Sequence, residues 1–414
     1  MAITIRDVKV ILTAPNGYNQ VAVKVETSEP GLYGVGCATF TQRYLAVAAA
    51  IREHIAPLVI GKEIDRITDL WNLMMVHGYW RNGPVVNNAV AGIDIALWDL
   101  KGKRAGMPVY ELLGGKCREG ALVYLHANGK DPEQLVDVIR AFRQAGVNHV
   151  RAQLVNATGL PYGGEPVGIN KPDGVLAGAY YDPHAYMRDN LRTMEKVRAT
   201  FGDGLEFTHD IHERLKPSDA IVFAKECEKL RLFFLEDALA PEDNAWYENM
   251  RRACVTPLAM GELFCHPAEW TGLVSGRLID FIRMHVTHIG GITPAVKVAA
   301  LAEAFGVRTA WHGQGDLSGV GMTANVHLDL ALPNFGIQEW SPWPDVLGDA
   351  KGHGQAMREV YPGFPELRKG YLYINDKPGL GVDIDETAAA KYPCVQKVDT
   401  WTQARLPDGS ITRP

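Results

Sequence analysis

The spacing of apolar residues changes twice along the chain, and each change marks a different kind of structure. Val8–Thr13 and Gln20–Thr27 are rich in β-branched residues, and Gly31, Gly34 and Gly36 punctuate the return. This predicts strands between Ile3 and Thr39. From Tyr44 to Leu113 the apolar spacing becomes helical. The stretch from Asn87 predicts a long buried helix closed by Gly106 and Pro108, then a short helix ending at Gly114-Gly115.

Beyond that point short apolar runs alternate with longer amphipathic stretches, the pattern of βα units on a parallel sheet. Strands are expected at Ala121–Leu125, His149–Gln153, Leu205–Thr208, Leu232–Leu235, Leu258–Met260, Phe281–Arg283, Arg308–Trp311 and Ile337–Glu339. Helices are expected between them, for example at Pro132–Ala145, Ser218–Leu230 and Pro294–Phe305. Eight such units predict an α/β fold of the (β/α)8 TIM-barrel type. A six-stranded doubly wound sheet is the competitor, but no Gly-x-Gly-x-x-Gly follows a strand.

The expected organisation is an N-terminal α+β capping domain over residues 1–118, the barrel over 119–375, and a C-terminal segment, 376–414, packing back on the cap. A Gly- and Pro-rich connection, Val155–Tyr181, is long enough to be either functional or disordered, and a mobile lid over substrate is the expectation.

Composition narrows the class. The chain has 414 residues, 47% of them hydrophobic and 22% charged, with a net charge of −6. That mix predicts a soluble protein of more than one domain with no basic face for nucleic acid. No secretory pattern or membrane-length apolar run is present, so a cytoplasmic location and no membrane partner are expected. The scattered cysteines, Cys37, Cys117, Cys227, Cys254, Cys265 and Cys394, form no Cys-x-x-Cys pair and predict free thiols. Cys265 reads either as a reactive thiol or as a small buried residue.

The candidate chemistry lies at three consecutive strand ends. Asp210, Glu236 and Glu262 are separated by 26 residues and again by 26 residues, one βα unit each time. Barrel enzymes build their sites where such strand ends converge. Three neighbouring carboxylates repel unless a cation neutralises them, and a hard, oxygen-seeking ion such as Mg²⁺ suits the set. Acids that cap the following helices are the alternative. His212 lies two residues past Asp210, so alternation along an extended strand end points it to the same side. From position alone it reads as a metal ligand or a structural histidine.

The acid triad, the helix region Ala91–Gly115 and the Gly290-Gly291 pair resemble the enolase superfamily. Tyr79–Pro84, Val150–Gln153, His209–His212, His312–Ser318, Pro333–Glu339 and Gly379–Pro393 resemble its mannonate dehydratase subgroup. The resemblance implies Mg²⁺ on the three acids and abstraction of a proton α to a carboxylate through an enediolate. It implies Arg151 and Tyr162 as the base pair and His212 as the acid for the departing hydroxyl. It also implies His126, Arg283, His312, Asp316 and Glu339 as substrate-binding residues, with Trp80 either closing the site or packing between domains. The expected reaction is dehydration of a six-carbon aldonic acid, D-mannonate first and D-gluconate second, to 2-keto-3-deoxygluconate. The expected partners are a small acid sugar and further copies of the chain. A racemase on the same barrel, or a metabolite-binding barrel with little or no turnover, are the rivals.

Several residues depart from the subgroup's pattern. They are Thr41-Gln42, a shortened spacing from Arg151 to Tyr162, Gln314, Gly319, an insertion at Pro342–Met357 and the C-terminus at Asp408–Pro414. They fall on elements that select the substrate and leave the acid triad intact.

Overall fold

A computed structural model describes residues 2–155, 171–313, 315–340, 352–398 and 403–413. The chain divides into two compact units. The first comprises Met1–Val123, Gly261–Val274 and Ile282–Gln396; the second comprises Tyr124–Met260, Ser275–Phe281 and Lys397–Pro414.

In the first unit, β1 (Ile5–Thr13), β2 (Gln20–Thr27) and β3 (Tyr33–Cys37) form an antiparallel meander. Register pairs Val8 with Val25 and Val23 with Gly36. The expected long helix runs from Pro84 to Ala105. Pro84 occupies its first turn, where the missing N–H costs nothing, and Gly106 ends it in the left-handed conformation with φ 65°.

This helix lies directly on β3. A Cβ on Gly34 would stand 2.1 Å from the Ala96 carbonyl oxygen, and one on Gly36 would stand 1.9 Å from that of Gly92. Glycine is therefore required for backbone to meet backbone. Asp99, buried on the same helix, accepts the N–H groups of Val35 at 2.9 Å and Leu380 at 2.8 Å, and Lys103 meets it at 2.7 Å. Asp94 accepts the N–H of Thr293 at 2.9 Å and its hydroxyl at 2.5 Å, so it caps the helix Ile292–Ala304. Burial pushes the Asp94 carboxyl up to about 7, against the pull of the Thr293 hydrogen bonds.

β4 (Ala121–Gly129) starts in the first unit and enters the second at Tyr124, where it, β5 (His149–Leu154), β6 (Glu206–Asp210), β7 (Phe234–Glu236) and β8 (Leu258–Met260) run parallel in sequence order. Helices return between them. The helix Pro132–Gln144 is capped by Asp131, which accepts the Gln134 N–H at 2.8 Å. The remaining expected strands are β9 (Phe281–Ile282), β10 (Arg308–Thr309) and β11 (Gln338–Trp340). In the first unit the chain after β9 meets β10 and its extension, with the Ala310 N–H on the Ile282 carbonyl at 3.0 Å and the His312 N–H on that of Met284 at 2.9 Å.

All eight expected strands form, β8 with the expected bounds and the others with shifted ends. β4 runs on to Gly129 because Leu125–Gly129 pair with Val150–Leu154. One hairpin escapes the sequence pattern: β12 (Glu366–Arg368) and β13 (Tyr371–Tyr373) pair antiparallel, and β13 adds to Ala121 and Leu122 of β4. Its two-residue turn places Lys369 and Gly370 at φ 48° and 81°. Positive φ at both central positions matches the twist of a tight hairpin, and a lysine disguises the usual Asn-Gly signal.

The C-terminal segment docks in two places. The Thr13 hydroxyl donates to the Ala389 carbonyl at 2.9 Å and the Ala14 N–H to that of Tyr392 at 2.7 Å, within the first unit. Farther on, the Tyr181 N–H donates to the Arg405 carbonyl at 2.7 Å, within the second. The Val155–Tyr181 connection lies outside the described residues from 156 to 170, as do most of the Pro342–Met357 insertion and Gln314.

Gly36→Ala should lower stability by about 1–3 kcal/mol or more by forcing β3 off the helix. Gly272→Ala, at a helical position with nothing within 4 Å of the new Cβ, should be neutral or stabilising by under ~1 kcal/mol. Urea midpoints of both variants are the measurement, and equal midpoints would refute the close-approach argument.

Asp94 should make stability depend on pH. A carboxyl whose folded value is raised binds its proton more tightly when folded, so its contribution is complete below about pH 4 and is lost as pH rises toward 7. Subtracting the stability-versus-pH curve of Asp94→Asn from that of the wild type should expose that loss between pH 4 and 7. A flat difference curve would count against it.

Candidate active site

In the second unit the register of the parallel strands brings the candidate residues together. His126 and Arg151 are direct neighbours across β4 and β5, and Asp210 and Glu236 across β6 and β7. Arg151 is buried, with one guanidinium nitrogen 2.7 Å from Asp210 Oδ2 and 3.8 Å from Glu236 Oε1. Its other terminal nitrogen lies 3.1 Å from His126 Nδ1. Tyr124, on the same face of β4 as His126, donates its hydroxyl to Glu236 Oε2 at 3.0 Å. A carboxylate of Asp237 joins the pair, with one oxygen from each of Asp210, Glu236 and Asp237 lying within 4.8 Å of the others. Several buried carboxylates around one guanidinium offer the oxygen-rich donor set that a hard divalent cation takes.

His212 reaches Asp210 by a different route from strand alternation. β6 ends at Asp210, and His212 sits in a turn with φ 52°, followed by Glu213 with φ 51°. Asp210 itself bends the chain back: its Oδ1 accepts the His212 N–H at 2.8 Å, and its Oδ2 lies 2.5 Å from His212 Nδ1. Left-handed backbone at non-glycine positions costs on the order of 1–3 kcal/mol and persists where the surroundings impose it. Asp237 has the same conformation, with φ 40°, just after β7.

Behind Asp210 stands a second set of partners. His209 Nδ1 lies 2.9 Å from the Ala152 carbonyl, so it carries the proton, and the Tyr186 hydroxyl meets Nε2 at 2.8 Å. Burial holds His209 down at about 4, so the ring is neutral. Gln153 donates to the Asp210 carbonyl at 3.1 Å. Tyr162 lies outside the described residues.

In the first unit another charged cluster surrounds Arg283. This fully buried side chain donates to Glu262 at 2.7 Å and to Glu339 at 3.2 Å. His312 stands beside the same two acids, its Nδ1 3.0 Å from Glu262 Oε2 and 3.1 Å from Glu339 Oε2. Its Nε2 lies 3.3 Å from Asp316 Oδ1. Burial alone would strip this ring of its proton, but Glu339, Glu262 and Asp316 outweigh it and hold His312 well above the usual histidine range. Two further histidines stack on it. The His285 ring lies 4.9 Å from that of His312 and 3.9 Å from that of His288. Burial, then the neighbouring histidines, pushes His285 well below the ordinary value, and burial also lowers His288.

Sequence reasoning assigns no site role to Tyr124, His209, Asp237 or His285. Tyr124 and His285 stand two residues from named site residues, His126 and Arg283, so strand alternation was the available signal. Asp237 and His209 carry no such signal, because their neighbours in sequence already occupy the site-facing direction. Trp80 is 85% exposed, with its ring edge-on to Tyr79 at 5.1 Å. Cys265 is half-buried, and desolvation with Glu269 nearby pushes its thiol up to about 12, so it is not poised to react.

Comparison with known proteins identifies the class. The mandelate racemase / muconate lactonizing enzyme N-terminal domain matches residues 2–114, and the enolase C-terminal domain-like family matches residues 134–388. This is the enolase-superfamily fold, an N-terminal capping domain followed by a (β/α)8 barrel.

Narrower relatives agree along the whole length. D-galactonate dehydratase family members from Musicola paradisiaca and Salmonella virchow are each 51% identical over 422 residues, covering 99% of both chains. A crystal structure of an enolase from Pantoea ananatis with bound D-gluconate and Mg superposes with a TM-score of 0.93 at 49% identity, covering 100% of both chains. The chain belongs to the D-galactonate dehydratase family, sugar-acid hydro-lyases of the enolase superfamily.

Removing the guanidinium at the centre of a buried cluster leaves Glu262 and Glu339 with His312 as a remaining positive partner, at a cost of about 3–5 kcal/mol. Arg283→Met should therefore lower stability by about that much, read from urea unfolding. A loss under ~1 kcal/mol would mean that Glu262 and Glu339 are neutralised by other means.

Proposed function

We propose that the chain catalyses the Mg²⁺-dependent dehydration of a six-carbon aldonic acid, D-mannonate first and D-gluconate second, to 2-keto-3-deoxygluconate. The observation that carries this reading is the buried Asp210–Glu236 pair with His212 turned onto Asp210. The Pantoea ananatis relative, with its bound D-gluconate and Mg, supports the substrate class.

Asp210, Glu236 and Glu262 are the proposed metal ligands, each at or just after the end of β6, β7 or β8. Bound there, Mg²⁺ supplies positive charge against the charge that develops on the substrate carboxylate as its α-proton leaves. Arg151 and Tyr162 remove that proton, the guanidinium favouring the phenolate of a group whose ordinary value is ~10. His212 keeps Nδ1 toward Asp210 and delivers a proton from Nε2 to the departing β-hydroxyl. His126, Arg283, His312, Asp316 and Glu339 hold the substrate's carboxylate and hydroxyls. Charged His312 is suited to an anionic or hydroxyl oxygen.

With a panel of acid sugars and Mg²⁺, 2-keto acid should form from D-mannonate or D-gluconate. His212→Asn should stop dehydration while α-hydrogen exchange with deuterated water continues, and Tyr162→Phe should lose both by about 10²–10⁴-fold. Full activity in Tyr162→Phe would place the base elsewhere. Independently, calorimetry on Glu236→Gln should show much weaker Mg²⁺ binding, and wild-type affinity would remove Glu236 from the ligand set.

A further inference from the structure

We propose that His285, His312 and Asp316 form a second cation site, selective for a nitrogen-seeking divalent transition ion such as Zn²⁺ rather than for Mg²⁺. The three side chains belong to one unit, and one ligand atom from each lies within 4.8 Å of the other two.

The decisive atom is His285 Nε2. It is buried and has no hydrogen-bond partner among the described residues. His285 Nδ1 lies 2.8 Å from the Thr287 hydroxyl, which donates its own proton to the Thr39 carbonyl at 3.3 Å. The hydroxyl therefore accepts from Nδ1–H, and the Nε2 lone pair is left bare. That lone pair faces Asp316 Oδ1 at 4.0 Å, and the same oxygen faces His312 Nε2 at 3.3 Å. Two acceptors opposed across 4.0 Å have no proton to share, and a buried polar atom without a partner is costly. A cation between them satisfies both.

The spacings suit such an ion. Bonds of about 2.0–2.1 Å in a tetrahedral site put neighbouring ligand atoms about 3.3–3.4 Å apart. The pair at 3.3 Å already meets that spacing, the pair at 4.0 Å must close by about 0.6–0.7 Å, and the two imidazole nitrogens, within 4.8 Å of each other, close as the ion draws the three side chains in. Partly exposed Asp316 is the more adjustable side. The ion takes the place of the His312 Nε2 proton, which passes to solvent. His312 Nδ1–H remains on Glu262 and Glu339, the carboxylate backing that orients a metal-binding imidazole. His288, stacked at 3.9 Å and 9° from parallel, fixes the plane of the His285 ring. Two imidazoles and one carboxylate select zinc-like ions, whereas Mg²⁺ takes oxygen ligands and dehydrates reluctantly.

Occupancy would draw His312 and Asp316 away from a sugar acid. Resting on the function proposed above, Zn²⁺ then inhibits in competition with substrate at saturating Mg²⁺.

The binding test needs no substrate, so it stands or falls apart from that function. The full-length protein is titrated with Zn²⁺ in excess Mg²⁺ by calorimetry, and with Co²⁺ while its visible ligand-field bands are recorded. One site per chain with the spectrum of nitrogen-ligated Co²⁺ is expected. His285→Gln, which keeps most of the side-chain volume, and Asp316→Asn, at a partly exposed position that tolerates the change, should each weaken binding by about tenfold or more. Zn²⁺ affinity unchanged in both variants, or a Co²⁺ spectrum of oxygen ligands alone, would overturn the proposal.

Discussion

A buried carboxylate needs a positive group or a row of N–H donors to answer it, and the candidate residues within each unit are arranged around that requirement. Arg151 answers Asp210 and Glu236 in one unit, and Arg283 answers Glu262 and Glu339 in the other. An arginine cannot shed its charge to escape burial, so each guanidinium remains a positive partner for the acids around it. The same balance explains His312, which keeps its proton despite burial because three carboxylates face it.

The cap meets the requirement without arginine. Asp99 is surrounded by the N–H groups of Val35 and Leu380 with Lys103 alongside, and Asp94 turns to the N-terminus of a helix. Backbone donors at a helix start stabilise a carboxylate over a short range, and burial still raises both groups. The glycines of β3 serve the same end, since only close approach of strand and helix brings the Val35 N–H to Asp99.

Strained backbone recurs at the strand ends that carry chemistry. His212, Glu213 and Asp237 hold left-handed conformations within a few residues of Asp210 and Glu236. Asp210 stabilises the bend with its own carboxylate, so the residue that anchors the site also aims the histidine. Substituting Asp210 therefore disturbs geometry as well as charge.

The order and kind of the elements were legible in the chain before any fold was known. Short apolar runs marked eight strands, amphipathic stretches marked the helices between them, and the 26-residue period assigned the acids a common strand-end position. These are local properties of spacing and propensity. Partners were not legible, because they come from residues far apart in sequence: Tyr124 on Glu236, Tyr186 on His209, Asp94 on Thr293. The turn that places His212 was hidden as well, since a left-handed histidine has no local signature and exists only because Asp210 holds it. Which histidines carry charge emerged only from packing in three dimensions. His285 and His312 are alike as residues, yet carboxylates surround one while burial beside other histidines governs the other, and that difference in surroundings sets their protons.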